Sequence, residues 1–137
     1  MSKEKVLIER NPTVEEYNRL RQSVGWVTVD PEAAEKALSH ALYSVCVTVN
    51  GDVVGCGRII GDDGIYYYLQ DVIVRLDCQG QGIGEQIMDA LVRYLETHAR
   101  KGAFAGLMCA RGASEFFSKY GFARRPSAGP GMFRVWN

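Results

Sequence analysis

The chain has 137 residues, close to the commonest size of one domain, so residues 1–137 are expected to fold as a single domain. Apolar residues make up 47% and charged residues 23%, an ordinary globular balance that excludes a disordered chain. Sixteen basic residues offset sixteen acidic ones, so the formal net charge is zero and nothing points to nucleic acid or another polyanion as a partner.

In chain order, Met1-Ser2-Lys3-Glu4-Lys5 is charged and leads into a short strand over 6–9, which does not read as a signal peptide. Thr13-Val14-Glu15-Glu16 is a capping box, with Val14, Tyr17, Leu20 and Val24 following at helical spacing. A second helix starts at Asp30-Pro31-Glu32, where Asp30 suits the N-cap and Pro31 the first helical position. Its apolar face is Ala34, Ala37, Leu38, Ala41 and Leu42. Strands are expected over 43–49 and 53–60, joined by Asn50-Gly51, which supplies the positive φ angles of a type I′ hairpin turn. A turn at Gly61-Asp62-Asp63-Gly64 precedes a long strand over 65–74. The glycine-rich stretch Gln79-Gly80-Gln81-Gly82-Ile83-Gly84 then opens a long helix with Ile87, Leu91, Leu95 and Ala99 on one face, Met88 and Val92 beside them. A strand over 104–109, a short helix over 112–120 ending near Gly121, and a last strand over 132–136 complete the order β-α-α-β-β-β-α-β-α-β. That order implies an α/β (α+β) fold, a mixed sheet with helices on its faces. No apolar run approaches the ~20 residues of a membrane-spanning helix, so no membrane is expected as a partner. The cysteines, Cys46, Cys56, Cys78 and Cys109, form no CxxC pair; neither metal nor disulfides are expected, and a reducing cytoplasm fits.

The glycine-rich loop carries the chemistry. A helix N-terminus has unpaired N–H groups and a partial positive charge, and glycines let the backbone approach an anion closely. The combination seats a phosphate or pyrophosphate. The spacing matches neither GxxxxGK[ST] nor GxGxxG in the first βαβ unit, which removes the two commonest nucleotide loops. An inert turn that only starts a helix is the plain alternative.

Gln79-x-x-Gly82-x-Gly84 after a Val-rich strand resembles the Q/R-x-x-G-x-G/A signature of the GCN5-related N-acetyltransferases, the GNAT superfamily. The stretch 71–122 resembles the family core, Asn50 to Gly55 its central hairpin, and Ala113 to Phe122 its A-x-x-F-Y-x-K-x-G-F segment. The resemblance implies an acyl-CoA N-acyltransferase fold with a mostly antiparallel sheet of about six or seven strands. It implies acetyl-CoA as acetyl donor, with no metal. The pyrophosphate would rest on backbone N–H groups of Gln79, Gly80, Gln81, Gly82, Ile83 and Gly84, and the pantetheine arm on backbone groups of Ile73 and Val74. The side chain of Ile83 is expected to pack under the loop.

The same resemblance implies direct transfer to an amine in a ternary complex. An alkylammonium with a pKa near ~10 must first lose its proton, a backbone N–H near Val72 to Val74 would stabilise the oxyanion, and a proton donor would help the thiolate leave. Asp71, an acid interrupting an apolar strand, is the candidate base; capping a neighbouring turn or pairing with an arginine such as Arg58 is the alternative, and a water relay another. Alternation places Leu69, Asp71 and Ile73 on one face. The family's tyrosine position is occupied by Phe117, which has no hydroxyl. Tyr120, one turn on, is the candidate acid, with core packing as its alternative and unassisted thiolate departure as another.

Tyr66-Tyr67-Tyr68 and Trp26 are candidate acceptor-pocket aromatics, and residues 23–30 a candidate lid. Arg75, Arg111, Arg124 and Arg125 are candidates for the CoA 3′-phosphate, or else ordinary surface charges. Cys78, beside the loop, reads as a free thiol, and His40 and His98 as structural. The segment Gly131 to Trp136 resembles small bacterial and plastid members, some of which accept arylalkylamines or lysine side chains; in many members it also pairs subunits, which implies a homodimer. The expected function is acetyl transfer to the primary amine of a small molecule. A non-catalytic CoA-binding module and a protein lysine acetyltransferase are the alternatives.

Overall fold

Local signals set most element boundaries in the computed structural model, which describes residues 4–110 and 112–136. Strand β1 (Lys5–Ile8) leads to helix α1 (Val14–Ser23). The capping box forms: Thr13 Oγ1 accepts from the Glu16 N–H at 3.1 Å, and Glu16 Oε1 accepts from the Thr13 N–H at 2.8 Å. Arg10 grips both Glu16 oxygens at 2.9 and 3.3 Å, which holds that carboxyl below its usual range. Helix α2 (Pro31–Ser39) starts as expected, with Asp30 accepting from the Ala33 N–H at 3.0 Å. It stops before Ala41 and Leu42, because Leu42 N–H instead donates to Ile59 O at 2.8 Å and joins the sheet.

Strands β2 (Tyr43–Val49), β3 (Asp52–Gly61) and β4 (Tyr66–Val74) form antiparallel pairs. Asn50 and Gly51 take φ of 53° and 81° at the hairpin. In the next turn Asp62 Oδ1 accepts the N–H groups of Gly64, Ile65 and Tyr66. Helix α3 (Ile83–His98) and strand β5 (Phe104–Gly106) follow, β5 running parallel to β4. The sheet order is β1-β2-β3-β4-β5.

The sheet therefore has five strands, fewer than the six or seven expected. The ladder stops at Gly106, so 107–109 are not strand, and 131–136 are not strand either. Strand formation needs a partner for the backbone groups, and no other strand lies among the described residues beyond 107.

The helices lie on both faces of the sheet. Gly55 and Gly57 make room for α3: a Cβ at Gly57 would lie 2.5 Å from Ile87 Cγ2, and one at Gly55 2.9 Å from Ile83 Cγ2. Val45 and Val47, opposite Gly57 and Gly55, share that face. On the other face Leu20 of α1 packs against Cys46, Cys56 and Ile73, while Tyr17 packs with Ala34 and Leu38 of α2.

The chain divides into two compact units, Met1–Leu107 and Met108–Asn137. All of the sheet belongs to the first. The second carries helix α4 (Ser114–Ser118), shorter than the expected 112–120, with Phe116 edge-on to Phe117 and Tyr120 at 5.1 and 5.6 Å between centroids. Gly121 takes φ of 88° just beyond it. Met1, Ser2, Lys3 and Arg111, read in the sequence, lie outside the described residues.

Candidate active site

The site is built on a fault in the β3–β4 ladder. Cys56 faces Ile73 and Arg58 faces Gln70, so Gly57 alone opposes both Asp71 and Val72. This is a β-bulge, and Asp71 occupies it with φ of 56°. Aspartate tolerates the left-handed region better than most residues. The bulge corrects the simple alternation. Leu69 pairs with Ile59 on the α3 face, whereas Asp71 bonds to Arg58 and Ile73 packs with Cys56 and Leu20 on the α1 face.

Beyond the bulge, β4 has no strand partner on the side away from β3 among the described residues. Strand β5 pairs only with Tyr66, Tyr67 and Tyr68. Arg75 N–H donates to Val54 O at 2.7 Å, so alternation along the ladder turns the backbone groups of Val74 away from β3. The Gln79 side chain confirms that direction, since its Nε2 donates to Val74 O at 3.0 Å. Val72 and Ile73 precede Val74 on this strand.

A 3₁₀ turn, Leu76–Cys78, connects this edge to the glycine loop. Gly80 and Gly82 take φ of 79° and 84°, and a Cβ at either would meet open space. The glycines are needed for backbone conformation, not for room. Gly82 is the N-cap of α3 and supplies no side-chain cap, so the first N–H groups of the helix, at Ile83 and Gly84, have no intrahelical acceptor. Ile83 itself is buried against Gly55 and pins the loop to the sheet, as expected. Gln79 differs from its neighbours: its N–H makes a long 3.5 Å contact to Leu76 O and its side chain serves the strand.

On the α1 face lies a buried polar cluster. Asp71 is 3% exposed. Its Oδ2 accepts from Tyr17 Oη at 2.9 Å and from Arg58 Nε at 2.9 Å; its Oδ1 accepts from Gln70 Nε2 at 3.3 Å and lies 3.7 Å from Arg21 Nη1. Arg21 Nη1 also donates to Tyr17 Oη at 3.1 Å, and Arg21 Nε to Val27 O at 2.7 Å. Burial, reinforced by the Asp71 charge, pushes the Tyr17 phenol up, and burial does the same to the Cys56 thiol. A crevice beside the cluster is lined by Pro12, Tyr17, Leu38, Cys56, Gly57, Arg58 and Asp71. In the sequence Tyr17 stands only among the residues at helical spacing on α1, and Arg21 is not singled out. The usable signal was their i,i+4 spacing on one helix, together with an acid inside an apolar strand that had to find cations.

The structure thus places Val72, Ile73, Val74, Gln79, Gly80, Gln81, Gly82, Ile83 and Gly84 along one continuous strand end, loop and helix start. Asp71 lies in the same strand but on the arginine cluster. Phe117 and Tyr120 belong to the second unit. Of the arginines considered for a phosphate, Arg75 is held by Asp77 at 2.6 Å, Arg124 donates to Ser114 Oγ at 2.8 Å and Arg125 to Gly129 O at 2.8 Å. No group of three or more His, Cys, Asp or Glu suited to a metal occurs among the described residues, and no helix there is long and apolar enough to cross a membrane.

Comparison with known proteins gives a consistent answer. Residues 39–124 match the acetyltransferase (GNAT) domain model. An uncharacterized N-acetyltransferase, ycf52, of Porphyra purpurea is 28% identical over 128 residues, 90% of this chain and 72% of that protein. A Staphylococcus aureus protein of unknown function, described as a probable acetyltransferase, superposes with a TM-score of 0.92 at 29% identity over 97% of this chain and all of that one. A GNAT-family acetyltransferase of Streptococcus pneumoniae superposes with a TM-score of 0.78 at 28% identity, over 96% of this chain and 98% of that one. The family match spans more than half of the sequence and carries the bulged strand, the glycine loop and α3: the chain belongs to the GNAT family and is an acetyltransferase.

Proposed function

We propose that the enzyme moves the acetyl group of acetyl-CoA to the primary amine of a small molecule. The observation that carries this reading is the continuity of a β4 edge that has no strand partner among the described residues with a left-handed glycine loop and a helix start without a side-chain cap. These features fit the two ends of one ligand. Backbone groups on the Val72–Val74 edge match the amides of a pantetheine arm, as an added strand would. The N–H groups from Gly80 to Gly84 match a pyrophosphate, with Gln79 holding the edge and loop in register. Acetyl-CoA supplies an acetyl group already activated as a thioester.

The chain's own residues then have three tasks. A backbone N–H of the Val72–Val74 edge holds the acetyl carbonyl oxygen as negative charge builds on it. Resemblance to the family supports Phe117 as a cofactor contact and the Tyr120 hydroxyl as the source of a proton for the departing sulfur, whose thiol pKa is about 8.5. Asp71 was expected as base, but its oxygens already accept from Tyr17, Arg58 and Gln70. We assign it instead to holding the bulge and its arginines, and proton removal from the amine to water.

Calorimetry with acetyl-CoA and a thiol-release assay over polyamines, arylalkylamines, aminosugars and amino acids test the proposal. Binding with turnover of at least one amine is expected. Binding without turnover of any would favour the CoA-binding module, for which the absent hydroxyl at Phe117 speaks. Asp71→Asn separates its two roles: a rate deficit that recovers at high pH marks a base, and a deficit independent of pH marks an anchor. Tyr120→Phe slows turnover if its hydroxyl is the acid, and unchanged kinetics removes it from that role.

A further inference from the structure

We propose that the acceptor amine carries an anionic group, a carboxylate or a phosphate, which Arg58 and Arg21 recognise. This deepens the acetyltransferase reading above and rests on it. Two guanidinium groups converge on a single carboxylate, Asp71, so the cluster keeps one uncompensated positive charge. Among the described residues, Asp71 is also the one carboxylate that lines the adjoining crevice. The next acid on α1, Glu16, is occupied by Arg10 at 2.9 Å.

The arginines are fixed in place. Arg58 spends Nε on Asp71 and reaches Ala37 O at 3.4 Å with Nη1; Arg21 spends Nε on Val27 O and Nη1 on Tyr17 Oη. The rings of Tyr17 and Trp26 flank the Arg21 guanidinium at 5.6 and 5.5 Å. The Nη2 groups of both arginines have no hydrogen-bond partner among the described residues. Their side chains are only 12% and 18% exposed, so water screens that surplus charge weakly. A planar guanidinium with free N–H groups matches the oxygens of a carboxylate or phosphate.

The sign also excludes an arrangement. An ammonium placed at this cluster would meet net positive charge and a carboxylate both of whose oxygens already accept a hydrogen bond. The reacting amine therefore lies away from the arginines, toward the β4 edge, with the anionic group at the other end of the molecule. Amines bearing an acid are favoured and diamines disfavoured.

The test uses the full chain saturated with acetyl-CoA and matched acceptors: phenylalanine with phenylalaninamide, ethanolamine with phosphoethanolamine, glucosamine with its 6-phosphate, and putrescine with 4-aminobutyrate. The anionic member of at least one pair is expected to show about tenfold or greater preference in kcat/KM, as a hydrogen-bonded charge pair would give. The preference should appear mainly in KM, and the pair that shows it separates a carboxylate reader from a phosphate reader. Arg21→Gln, which leaves the closer Arg58–Asp71 pair intact, should bring the ratio to within about twofold of one, and Arg21→Lys should restore part of it. Where no pair turns over, the same pairs titrated onto the saturated protein, followed by Trp26 fluorescence, must show the preference in binding. Equal or reversed preference in every pair, or a preference that survives Arg21→Gln in a variant of unchanged thermal stability, would overturn the proposal. Failure to bind acetyl-CoA would instead remove the acetyltransferase reading beneath it.

Discussion

The two faces of the β3–β4 pair solve opposite problems with neighbouring residues. On the α3 face Gly57 has no side chain, and Ile87 and Leu91 close over it until an added Cβ would sit 2.5 Å from Ile87 Cγ2. On the α1 face the next residue, Arg58, extends a charged side chain onto a buried acid. The first face is a close-packed apolar seat that fixes where α3 begins, and with it the glycine loop. The second buries charge, an arrangement that adds little net stability compared with well-packed apolar side chains. Position belongs to one face and discrimination to the other.

Removing Asp71 should separate the faces most sharply. Asp71→Ala leaves Arg58 and Arg21 partly buried without their acid and should cost about 3–5 kcal/mol, the range for breaking a buried pair. A loss below about 1 kcal/mol in urea denaturation would show that the cluster is solvated and that the contrast between faces is overstated. Gly57→Ala probes the other face. Ile87 Cγ2 sits on a branched, fully buried side chain with little freedom to retreat, so overpacking should cost about 1–3 kcal/mol. An unchanged or raised melting temperature would mean that α3 moves off the sheet easily and cannot fix the loop.

A smaller effect concerns pH. The Tyr17 phenol is raised above its ordinary 10.0 by burial and by Asp71. A group whose pKa is raised on folding contributes stability fully below its unfolded value and loses that contribution as pH climbs through the folded value. Tyr43 and Tyr94, each pushed up to about 12, act in the same direction. Stability should therefore decline from about pH 10 upward, less steeply in Tyr17→Phe. Parallel profiles for the two proteins would contradict the burial of that hydroxyl against Asp71.

The sequence was most readable where chemistry is local. Thr13-x-x-Glu16, Asp30-Pro31 and Asn50-Gly51 start a helix, a helix and a turn through contacts within a few residues, and each does so as expected. The glycine loop was legible for the same reason, since positive φ at Gly80 and Gly82 is a property of those residues. The bulge was not. Nothing in Leu69-Gln70-Asp71-Val72-Ile73 says that Gly57, more than ten residues earlier, opposes two of them, and without that fact the alternation from Leu69 to Ile73 is misread. The pairing of Asp71 with Arg58 was foreseeable as chemistry, whereas the convergence of Tyr17 and Arg21 depends on where α1 crosses the sheet. The last strand over 132–136 failed because apolar, β-prone residues form strand only beside another strand.

The central claim is that backbone N–H groups from Gly80 to Gly84 receive the pyrophosphate of acetyl-CoA. Isothermal titration of acetyl-CoA into the native protein and into Gly82→Asp tests it most directly. The substitution forces a side chain onto a φ of 84° and sets a negative charge at the helix start; the space around it is open, so the cost is backbone strain without a steric clash. Clear binding to the native chain and none to the variant is expected, with both folded by circular dichroism. Retained affinity in a folded Gly82→Asp protein would contradict it.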